Sequence, residues 1–260
     1  MQMISSLTIT FLGTGTSQGI PVIASKHPVC KSNDPRDKRL RVSILVSWKE
    51  YNFVIDCGPD FRQQILRENC TKIDGVLLTH EHSDHTAGLD DIRPFYFEQG
   101  NLSFFAHKRV FENLHQRFAY IFETVNKYPG APTIDEIEID KNTPFLLGDK
   151  HITPIEAFHG KLPVLGFKID HVAYLTDVKT IAKSELKKLK GIEVLIINTL
   201  RHEKHHSHLN LAEALELIKE IKPKKTYLTH ISHVLGFHKE VEKTLPKNVF
   251  LAYDTLKINL

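Results

Sequence analysis

Three imidazoles and an aspartate carboxylate lie within six residues of this chain, shortly after an apolar run. The run at residues 75–78 (Gly-Val-Leu-Leu) is typical of a buried strand, and a tight loop follows it. The donors are His80, His82, Asp84 and His85. Imidazole nitrogens and carboxylate oxygens are the ligands that zinc and similar divalent ions prefer. Because the donors are bunched behind a strand, they predict a metal site with room for two adjacent ions, rather than a surface loop that merely contains histidines.

Length and composition favour one globular α/β domain over residues 1–260. The chain is 41% hydrophobic and 25% charged, which suits a large core and is not the composition of a disordered protein. The net charge of +3 is too small to predict binding to nucleic acid or to a membrane surface. Three scattered cysteines do not form a disulfide framework, so we expect a reducing, cytoplasmic location. The N-terminus has no signal-peptide pattern, and no apolar run reaches the ~20 residues of a membrane helix.

In the first half of the chain, strand patterns alternate with turns. A predicted strand at residues 7–12 leads into a glycine-rich loop at residues 13–21. A dinucleotide site would need a helix after these glycines to hold phosphate, but Pro21 stands where that helix would begin. The loop is therefore interpreted as a turn whose glycines, having no side chains, allow the backbone to approach a neighbouring group closely. Further strands are predicted at residues 41–47, 52–56 and 102–106, and helices at 61–69 and 110–120.

In the second half, three predicted strands are followed by a residue that can bind a metal ion. The strands at residues 151–158, 172–175 and 225–228 lead to His159, Asp177 and His230. Additional strands are predicted at residues 134–139, 164–169 and 194–199, and helices at 182–190, 211–221 and 239–244. A last strand at residues 249–253 is expected to close the chain.

These strand ends and the His-x-His-x-Asp-His loop resemble the metallo-β-lactamase fold superfamily of hydrolases over nearly the whole chain. The resemblance implies an α/β fold, the four-layer αββα sandwich, with a two-metal site at one edge of its sheets. The implied ligands are His80, His82 and His159 for the first ion, Asp84, His85 and His230 for the second, and Asp177 as the bridge. Zinc or manganese is expected, and iron also suits this ligand set. A water between the ions would become a hydroxide near neutral pH and attack a phosphate ester, which makes Asp84 a catalytic residue as well as a ligand.

Within the superfamily, four segments resemble the branch of the phosphonate-pathway cyclic phosphodiesterase (PhnP-like). They are residues 14–21, the segment around Cys30, residues 90–95 (Asp-Asp-Ile-Arg-Pro-Phe) and residues 128–130 (Tyr-Pro-Gly). In this branch, three cysteines and a late histidine form a structural zinc site. Here the matching positions are Ser25, His27, Cys30 and His233. Ser25 thus removes one ligand of that site, and His27 replaces another cysteine. Two interpretations stay open: His27, Cys30 and His233 bind a third metal ion, or this part of the protein is held by ordinary packing.

Two residues are expected to support the metal chemistry. Asp56, after its own strand, is expected to hydrogen-bond a ligand histidine, although a plain turn aspartate is the alternative. His208 precedes His230 by 22 residues, the spacing at which the resembled branch carries a general acid. Imidazole can give a proton to a leaving alkoxide near neutral pH. The nearby His202, His205 and His206 are interpreted as surface residues.

The sequence thus predicts a dinuclear metal-dependent phosphodiesterase for a small phosphate ester, cyclic esters included. Arg93 could meet the substrate phosphate, or could instead pair with Asp90 or Asp91. The alternatives are a tRNA 3′-processing endonuclease, whose long Gly/Pro-rich arm is not evident here, a lactonase or thioesterase, and a degenerate member that binds without catalysis. Neither a nucleic acid nor a membrane is expected as a partner, and a homodimer is compatible with the sequence.

Overall fold

The computed structural model describes residues 7–260, which fold into two compact units. Unit 1 comprises the described residues up to Gly13, Val42–Asp140 and Thr255–Leu260. Unit 2 comprises Thr14–Arg41 and Lys141–Asp254. Each unit contains one large β-sheet, which confirms the predicted α/β class. The expectation of a single domain over residues 1–260 stays a prediction. The expectation that the N-terminus is not a signal peptide falls partly on residues 1–6, which lie outside the described residues.

Unit 1 is a seven-stranded mixed sheet with helices. Its strands are β1 (Thr8–Gly13), β2 (Ser43–Trp48), β3 (Tyr51–Ile55), β4 (Gly75–Leu77), β5 (Leu102–Ala106), β6 (Ile134–Glu138) and β15 (Lys257–Asn259). Its helices are α1 (Phe61–Arg67), α2 (Ser83–Thr86), α3 (Arg93–Gln99), α4 (Lys108–Arg117) and α5 (Ala119–Phe122). The spatial order is β15-β1-β2-β3-β4-β5-β6, antiparallel from β15 to β3 and parallel from β3 to β6.

The core of unit 1 lies between this sheet and its helices. Val54, Val76 and Phe104 are fully buried neighbours on β3, β4 and β5, so they point to the same face of the sheet. Helix α1 adds Phe61 and α4 adds Phe111 to the same cluster. Each such side chain contributes about 1.5–3 kcal/mol through burial. This packing fixes β3 and β4, whose ends carry the predicted site residues of unit 1.

Unit 2 is an eight-stranded mixed sheet. Its strands are β7 (Phe145–Leu147), β8 (Lys150–His159), β9 (Leu162–Ile169), β10 (Val172–Leu175), β11 (Thr180–Ile181), β12 (Val194–Asn198), β13 (Lys225–Thr229) and β14 (Val249–Leu251). Its helices are α6 (Lys183–Lys188), α7 (Leu211–Ile221) and α8 (His238–Glu242). The order is β11-β8-β9-β10-β12-β13-β14, and β7 pairs with β8. Buried residues of β8, β10, β12 and β13 form one core with residues of α7 and α8.

Most predicted elements are present, and the deviations have local causes. Helix α7 begins where the sequence predicted it, because Asn210 and Glu213 form a reciprocal capping box. Helix α3 was not predicted, although Pro94 suits its first turn. The expectation that residues 249–253 close the chain is wrong, since β15 follows and pairs with β1. None of the helices in residues 7–260 combines the length and apolar character needed to cross a membrane.

A buried arginine anchors the segment Thr14–Arg41 within unit 2. Arg39 is 3% exposed, and its Nη1 donates to the Thr14 hydroxyl at 2.7 Å and to the Ala252 carbonyl oxygen at 2.5 Å. Its Nη2 lies 3.1 Å from Nδ1 of His238. Because a guanidinium has no acceptor, His238 must accept this hydrogen bond through an unprotonated Nδ1. The backbone N–H of His238 donates to Asp37 Oδ1 at 2.7 Å, which closes the network.

This network predicts a loss of stability in mild acid. Burial, together with the Arg39 guanidinium, lowers the pKa of His238 to about 4. The unfolded chain takes up the proton near pH 6.5, whereas the folded protein resists it down to about pH 4, so this part of the stability is complete above about pH 6.5 and is lost as pH falls between these values. The ionisable groups around His238 are Arg39, Arg36, Asp34, Asp37 and Glu242.

We expect His238→Gln, which keeps an acceptor for Arg39 but does not titrate, to flatten this pH dependence. Between about pH 7.5 and pH 5, the wild-type free energy of unfolding should fall by about 2 kcal/mol more than that of the variant. Urea unfolding of both proteins with a chelator present measures the difference and keeps metal binding out of it. Equal losses in the two proteins would contradict the assignment to His238.

Candidate metal centre

The histidine loop of unit 1 begins where β4 ends, at Leu77, and runs into the short helix α2. His80 and His85 are fully buried, Asp84 is half-buried and His82 is exposed. The loop therefore buries its first and last donors and leaves the two between them accessible to solvent.

Neighbouring donor atoms in this loop have the spacing of two ligands on one ion. His80 Nε2 lies 3.0 Å from His82 Nδ1. His85 Nε2 lies 3.3 Å from Asp84 Oδ2. Two ligands about 2.0–2.1 Å from a tetrahedral zinc ion would be roughly 3.4 Å apart. The two close pairs are those that the family resemblance assigns to the first and to the second ion.

Asp56 supports the loop from the end of β3. Its Oδ2 accepts a hydrogen bond from His85 Nδ1 at 2.7 Å, with both side chains buried. Burial raises the pKa of the Asp56 carboxyl, while the contacts with His85 and Thr79 act in the opposite direction. The φ angle of Asp56 is 65°, a left-handed conformation that costs a non-glycine residue about 1 kcal/mol or more. Such local strain is often retained at functional sites, where the surrounding structure enforces it.

Helix α4 holds the same loop from outside. Nη1 of Arg117 donates to the Glu81 carbonyl oxygen and to the Thr86 hydroxyl, at 2.9 Å each. Its Nη2 donates to Ser83 Oγ at 3.2 Å. Arg109 Nη2 lies 3.1 Å from Glu81 Oε2. The path of the histidine loop therefore depends on α4. The sequence predicted a helix here but not its contacts with the loop.

In unit 2, the predicted ligands stand at one edge of the sheet. β10, β12 and β13 run parallel, and β8 runs in the same direction because β8 and β10 both pair antiparallel with β9. The carboxyl ends of strands with one direction meet at one edge, where ligands of α/β sheets commonly bind. His159 ends β8, Asp177 follows β10, and His230 follows β13.

Asp177 lies close enough to His230, and separately to His159, to share an ion with each of them. His230 Nε2 lies 3.2 Å from Asp177 Oδ1. The ligand atoms of His159, Asp177 and His208 all lie within 4.8 Å of one another. Asp177 and His230 have left-handed φ angles of 58° and 55°, like Asp56 in unit 1. Three predicted site residues thus turn out of a strand in the same unusual conformation.

His208 lies against the predicted ligands of unit 2. Its ring centroid is 4.4 Å from that of His159 and 4.8 Å from that of His230. Its Nδ1 is 3.6 Å from Asp177 Oδ1. Burial, together with the His230 imidazole, lowers the pKa of His208 to about 2, so the ring is neutral at pH 7 in the metal-free protein. A neutral imidazole in this position can be a metal ligand, whereas the proton-donor role predicted from the sequence requires the ring to take up a proton first. Metal analysis of a His208 variant distinguishes the two roles.

The loop that carries His208 also orients His159. Its Ser207 carbonyl oxygen lies 2.8 Å from His159 Nδ1, so that nitrogen carries the proton and Nε2 is left to face an ion. Asn210 fastens the loop by donating to the His202 carbonyl oxygen at 2.9 Å. The other histidines of the loop differ in exposure: His202 and His206 are exposed, and His205 is half-buried.

The corner where the sequence left a structural zinc site and ordinary packing as alternatives contains packing contacts. Buried Cys30 clusters with Ile20 and Val29. His27 and His233 lie edge to face, with ring centroids 5.0 Å apart. Within residues 7–260, His27, Cys30 and His233 do not form a group of three donors whose ligand atoms all lie within 4.8 Å. The structural metal stays a prediction here.

Arg93 is engaged by a carboxylate. Its Nε and Nη2 donate to Asp90 Oδ1 at 3.0 and 2.6 Å. The Tyr120 hydroxyl donates to the same oxygen at 2.5 Å. This is the pairing that the sequence left open as the alternative to substrate binding, and the substrate role of Arg93 stays a prediction.

The donor set in each unit fits a divalent cation. An imidazole nitrogen and a carboxylate oxygen lie 3.2–3.3 Å apart in each unit, and two imidazole nitrogens lie 3.0 Å apart in unit 1. Second contacts at Nδ1 orient His85 and His159, as is usual for histidines that bind metal ions. A divalent cation held among side chains this closely spaced would balance the carboxylates and use the lone pairs of neutral imidazoles.

Comparison with known proteins places this chemistry in a family. The sequence profile described as Beta-lactamase superfamily domain matches residues 51–231. A crystal structure described as a new diphosphatase from the PhnP family is 35% identical in sequence and has a TM-score of 0.92. The match covers 98% of this chain and 97% of that one.

Two curated relatives match more partially. An octanoyltransferase of Porphyromonas gingivalis is 42% identical over 194 residues, which is 74% of this chain and 39% of the relative. A ribonuclease Z of Methanopyrus kandleri is 33% identical over 85 residues, 32% of this chain and 25% of the relative. The chain thus spans less than half the length of these curated relatives.

The profile covers more than half of the chain, and the PhnP-family match extends over nearly all of it at 35% identity. The metallo-β-lactamase fold predicted from the strand ends is thereby confirmed. The chain belongs to the beta-lactamase superfamily and, within it, to the PhnP-like branch of metal-dependent hydrolases.

Proposed function

We propose that this protein is a dinuclear metal-dependent hydrolase that cleaves a P–O bond in a small phosphate substrate. The observation that carries the proposal is the repeated donor spacing of 3.0–3.3 Å at His80–His82, Asp84–His85 and Asp177–His230. A metal pair suits phosphate chemistry because it can neutralise both the entering and the leaving oxygen.

The ligand assignment follows the family pattern. We assign His80, His82 and His159 to the first ion, Asp84, His85 and His230 to the second, and Asp177 to both. When bound, two such ions would lower the pKa of a water molecule towards neutrality and offset the charge of a phosphate. The protein's own contribution is to hold these ligands in place through Asp56 and Ser207 and to provide His208 as proton donor to the leaving group. Imidazole and carboxylate donors suit zinc or manganese, and iron as a third choice.

Two similarities to known proteins indicate which phosphate substrates to test first. The sequence resembles the cyclic phosphodiesterase branch, and the nearly full-length PhnP-family relative is described as a diphosphatase. Cyclic phosphate esters and diphosphates are both small molecules with a negatively charged phosphate group. Hydrolysis of either one breaks a P–O bond. Both are therefore first candidates, with a cyclic ribose phosphate as the leading one.

A ribonuclease Z activity is the second candidate, because a ribonuclease Z matches part of the chain. The net charge of +3 provides little electrostatic attraction for a polyanion such as tRNA. The octanoyltransferase name belongs to a protein of which this chain spans 39%. Because of that name, we include hydrolysis of an octanoyl thioester, a thioesterase reaction that this fold can support, among the activities to be tested.

The test is an activity panel with protein loaded with zinc, manganese or iron and analysed for metal content. The substrates are cyclic ribose phosphates, a nucleoside diphosphate, a linear diester, precursor tRNA, a lactone and an octanoyl thioester. We expect two metal ions per chain and a kcat/KM for a small phosphate substrate at least about 100-fold above that for the lactone and thioester, since the two ions are arranged to offset phosphate charge. Salt-sensitive cleavage of precursor tRNA as the main activity, or one metal ion or none, would overturn the proposal.

A further inference from the structure

The hydroxyl of Thr79 is placed between a carboxylate and a ligand histidine. Thr79 Oγ1 lies 2.9 Å from Asp56 Oδ2 and 3.0 Å from His80 Nδ1. The same oxygen is 3.5 Å from His85 Nδ1, which bonds Asp56 directly at 2.7 Å. Thr79, Asp56, His80 and His85 are each no more than 1% exposed, so water does not compete for these contacts.

Proton counting fixes the direction of this chain of hydrogen bonds. An ionised carboxylate only accepts, whereas a hydroxyl has one proton to donate and lone pairs that accept. If Thr79 gave its proton to His80, its oxygen lone pairs would face the Asp56 oxygens at 2.9 and 3.1 Å with no proton between them. The favourable arrangement therefore runs from His80 Nδ1–H to Thr79 and from the Thr79 hydroxyl to Asp56.

The carboxylate at the end of this chain is fixed in position. The backbone N–H of Asp56 donates to the Leu77 carbonyl oxygen at 2.9 Å, and its carbonyl oxygen accepts from Ser43 Oγ at 2.7 Å. The backbone N–H of Thr79 donates to Asp56 Oδ1 at 2.8 Å. Because β3 and β4 are neighbours in the sheet, the ends that carry Asp56 and Thr79 cannot move apart without breaking their pairing.

We propose that Thr79 is a positioning residue that relays Asp56 to His80, so that one buried carboxylate sets the tautomer of two ligand histidines. Asp56 holds the proton of His85 on Nδ1 directly, and through Thr79 it holds the proton of His80 on Nδ1. Both Nε2 atoms then present lone pairs, and these are the atoms found 3.3 Å from Asp84 Oδ2 and 3.0 Å from His82 Nδ1. The inference rests on the proposed metal-dependent function, because it concerns the preparation of ligands for both ions.

Thr79→Val removes the hydroxyl at nearly constant volume, and Thr79→Ser retains it. Without the hydroxyl, His80 Nδ1–H loses its acceptor, and the ring gains by moving its proton to Nε2, where it blocks metal binding. We expect Thr79→Val to weaken metal affinity by about 10- to 100-fold, the usual effect of losing a second contact to a ligand histidine. Thr79→Ser should stay within about threefold of wild type. Competition with a chelator of known affinity measures both values.

A readout that needs no metal separates this inference from the proposed function. In metal-free protein, the nitrogen chemical shifts of 15N-labelled histidine report which ring nitrogen carries the proton. We expect His80 protonated on Nδ1 in wild type and Thr79→Ser, and on Nε2 in Thr79→Val. Thr226→Val is the matched control, because Thr226 is a buried threonine of β13 in unit 2 whose hydroxyl makes no hydrogen bond within the described residues. The His80 tautomer should be unchanged in this control.

The outcomes are distinct. An unchanged His80 tautomer in Thr79→Val, or wild-type metal affinity in that variant, would overturn the relay even if the protein hydrolyses phosphates. A wild-type protein that binds no divalent ion would overturn the proposed function, while the tautomer measurement would still decide the relay. If Thr79→Val does not fold, Asp56→Asn provides the second variant, and the relay then requires altered tautomers at both His80 and His85.

Discussion

Replacing Asp177 with alanine is expected to lower hydrolysis of a phosphate substrate by about 10³-fold or more, with loss of at least one of two metal ions. Asp177 is the residue assigned to both ions, and its Oδ1 lies 3.2 Å from His230 Nε2. A metal ion contributes several kcal/mol of transition-state stabilisation, and each 1.4 kcal/mol is about tenfold in rate. Elemental analysis and kcat/KM on the best substrate of the panel measure the two effects.

Asp170→Ala is the matched control for Asp177→Ala. Asp170 is also an aspartate of unit 2 with a left-handed φ, at 51°, but it is exposed in the turn between β9 and β10 and pairs with Lys150. Its loss should leave metal content and kcat/KM near wild type, because a surface ion pair is worth at most about 1 kcal/mol of stability. Full activity with two ions in Asp177→Ala would contradict the assignment of Asp177.

The sequence reveals the elements of this protein well, because its strands bury regular apolar runs. Residues 102–106 and 172–175 were predicted as strands and form β5 and β10 over those residues. Strand β15 was missed, since three residues near a chain end have no period of their own and become a strand only by pairing with β1. Helix α3 was missed because its aromatic residues, among them Phe95 in the core of unit 1, suggested general packing.

The candidate site was predictable where donors are crowded in sequence and less so where their support is distant. His80 to His85 stand out locally, and Asp56 was found because it ends a strand. Arg117 contacts the histidine loop across some thirty residues, and the carbonyl oxygen of Ser207 has no side-chain signal. The part played by Thr79 depends on two distances of about 3 Å that a sequence does not contain.

The left-handed turns at Asp56, Asp177 and His230 explain part of the donor geometry that strand prediction alone could not provide. A residue that simply continued its strand would point its side chain to one face of the sheet. A left-handed φ redirects the side chain just past the last paired residue. Aspartate adopts this conformation more readily than most residues, and histidine is enriched in it as well. Aspartate and histidine therefore suit these positions in two ways: they tolerate the left-handed backbone conformation, and their side chains suit the metal site.

His208→Ala is expected to keep both metal ions and to lower turnover of substrates with poor leaving groups by ~100-fold or more, the usual scale for the loss of general acid catalysis. His208 Nδ1 lies 3.6 Å from Asp177 Oδ1, and the ring stacks on His230 and lies tilted against His159, so it borders the predicted ligands of unit 2. A leaving alkoxide needs a proton, whereas a nitrophenolate does not. The loss should therefore shrink to roughly tenfold or less for a p-nitrophenyl phosphodiester.

His206→Ala is the control for this leaving-group test, because His206 is an exposed histidine of the same loop. Its turnover should remain near wild type for both kinds of substrate. A drop in metal content in His208→Ala would instead make His208 a ligand, as its grouping with His159 and Asp177 within 4.8 Å allows. Equal losses for good and poor leaving groups at full metal content would leave His208 a positioning role, and unchanged turnover would remove it from the mechanism.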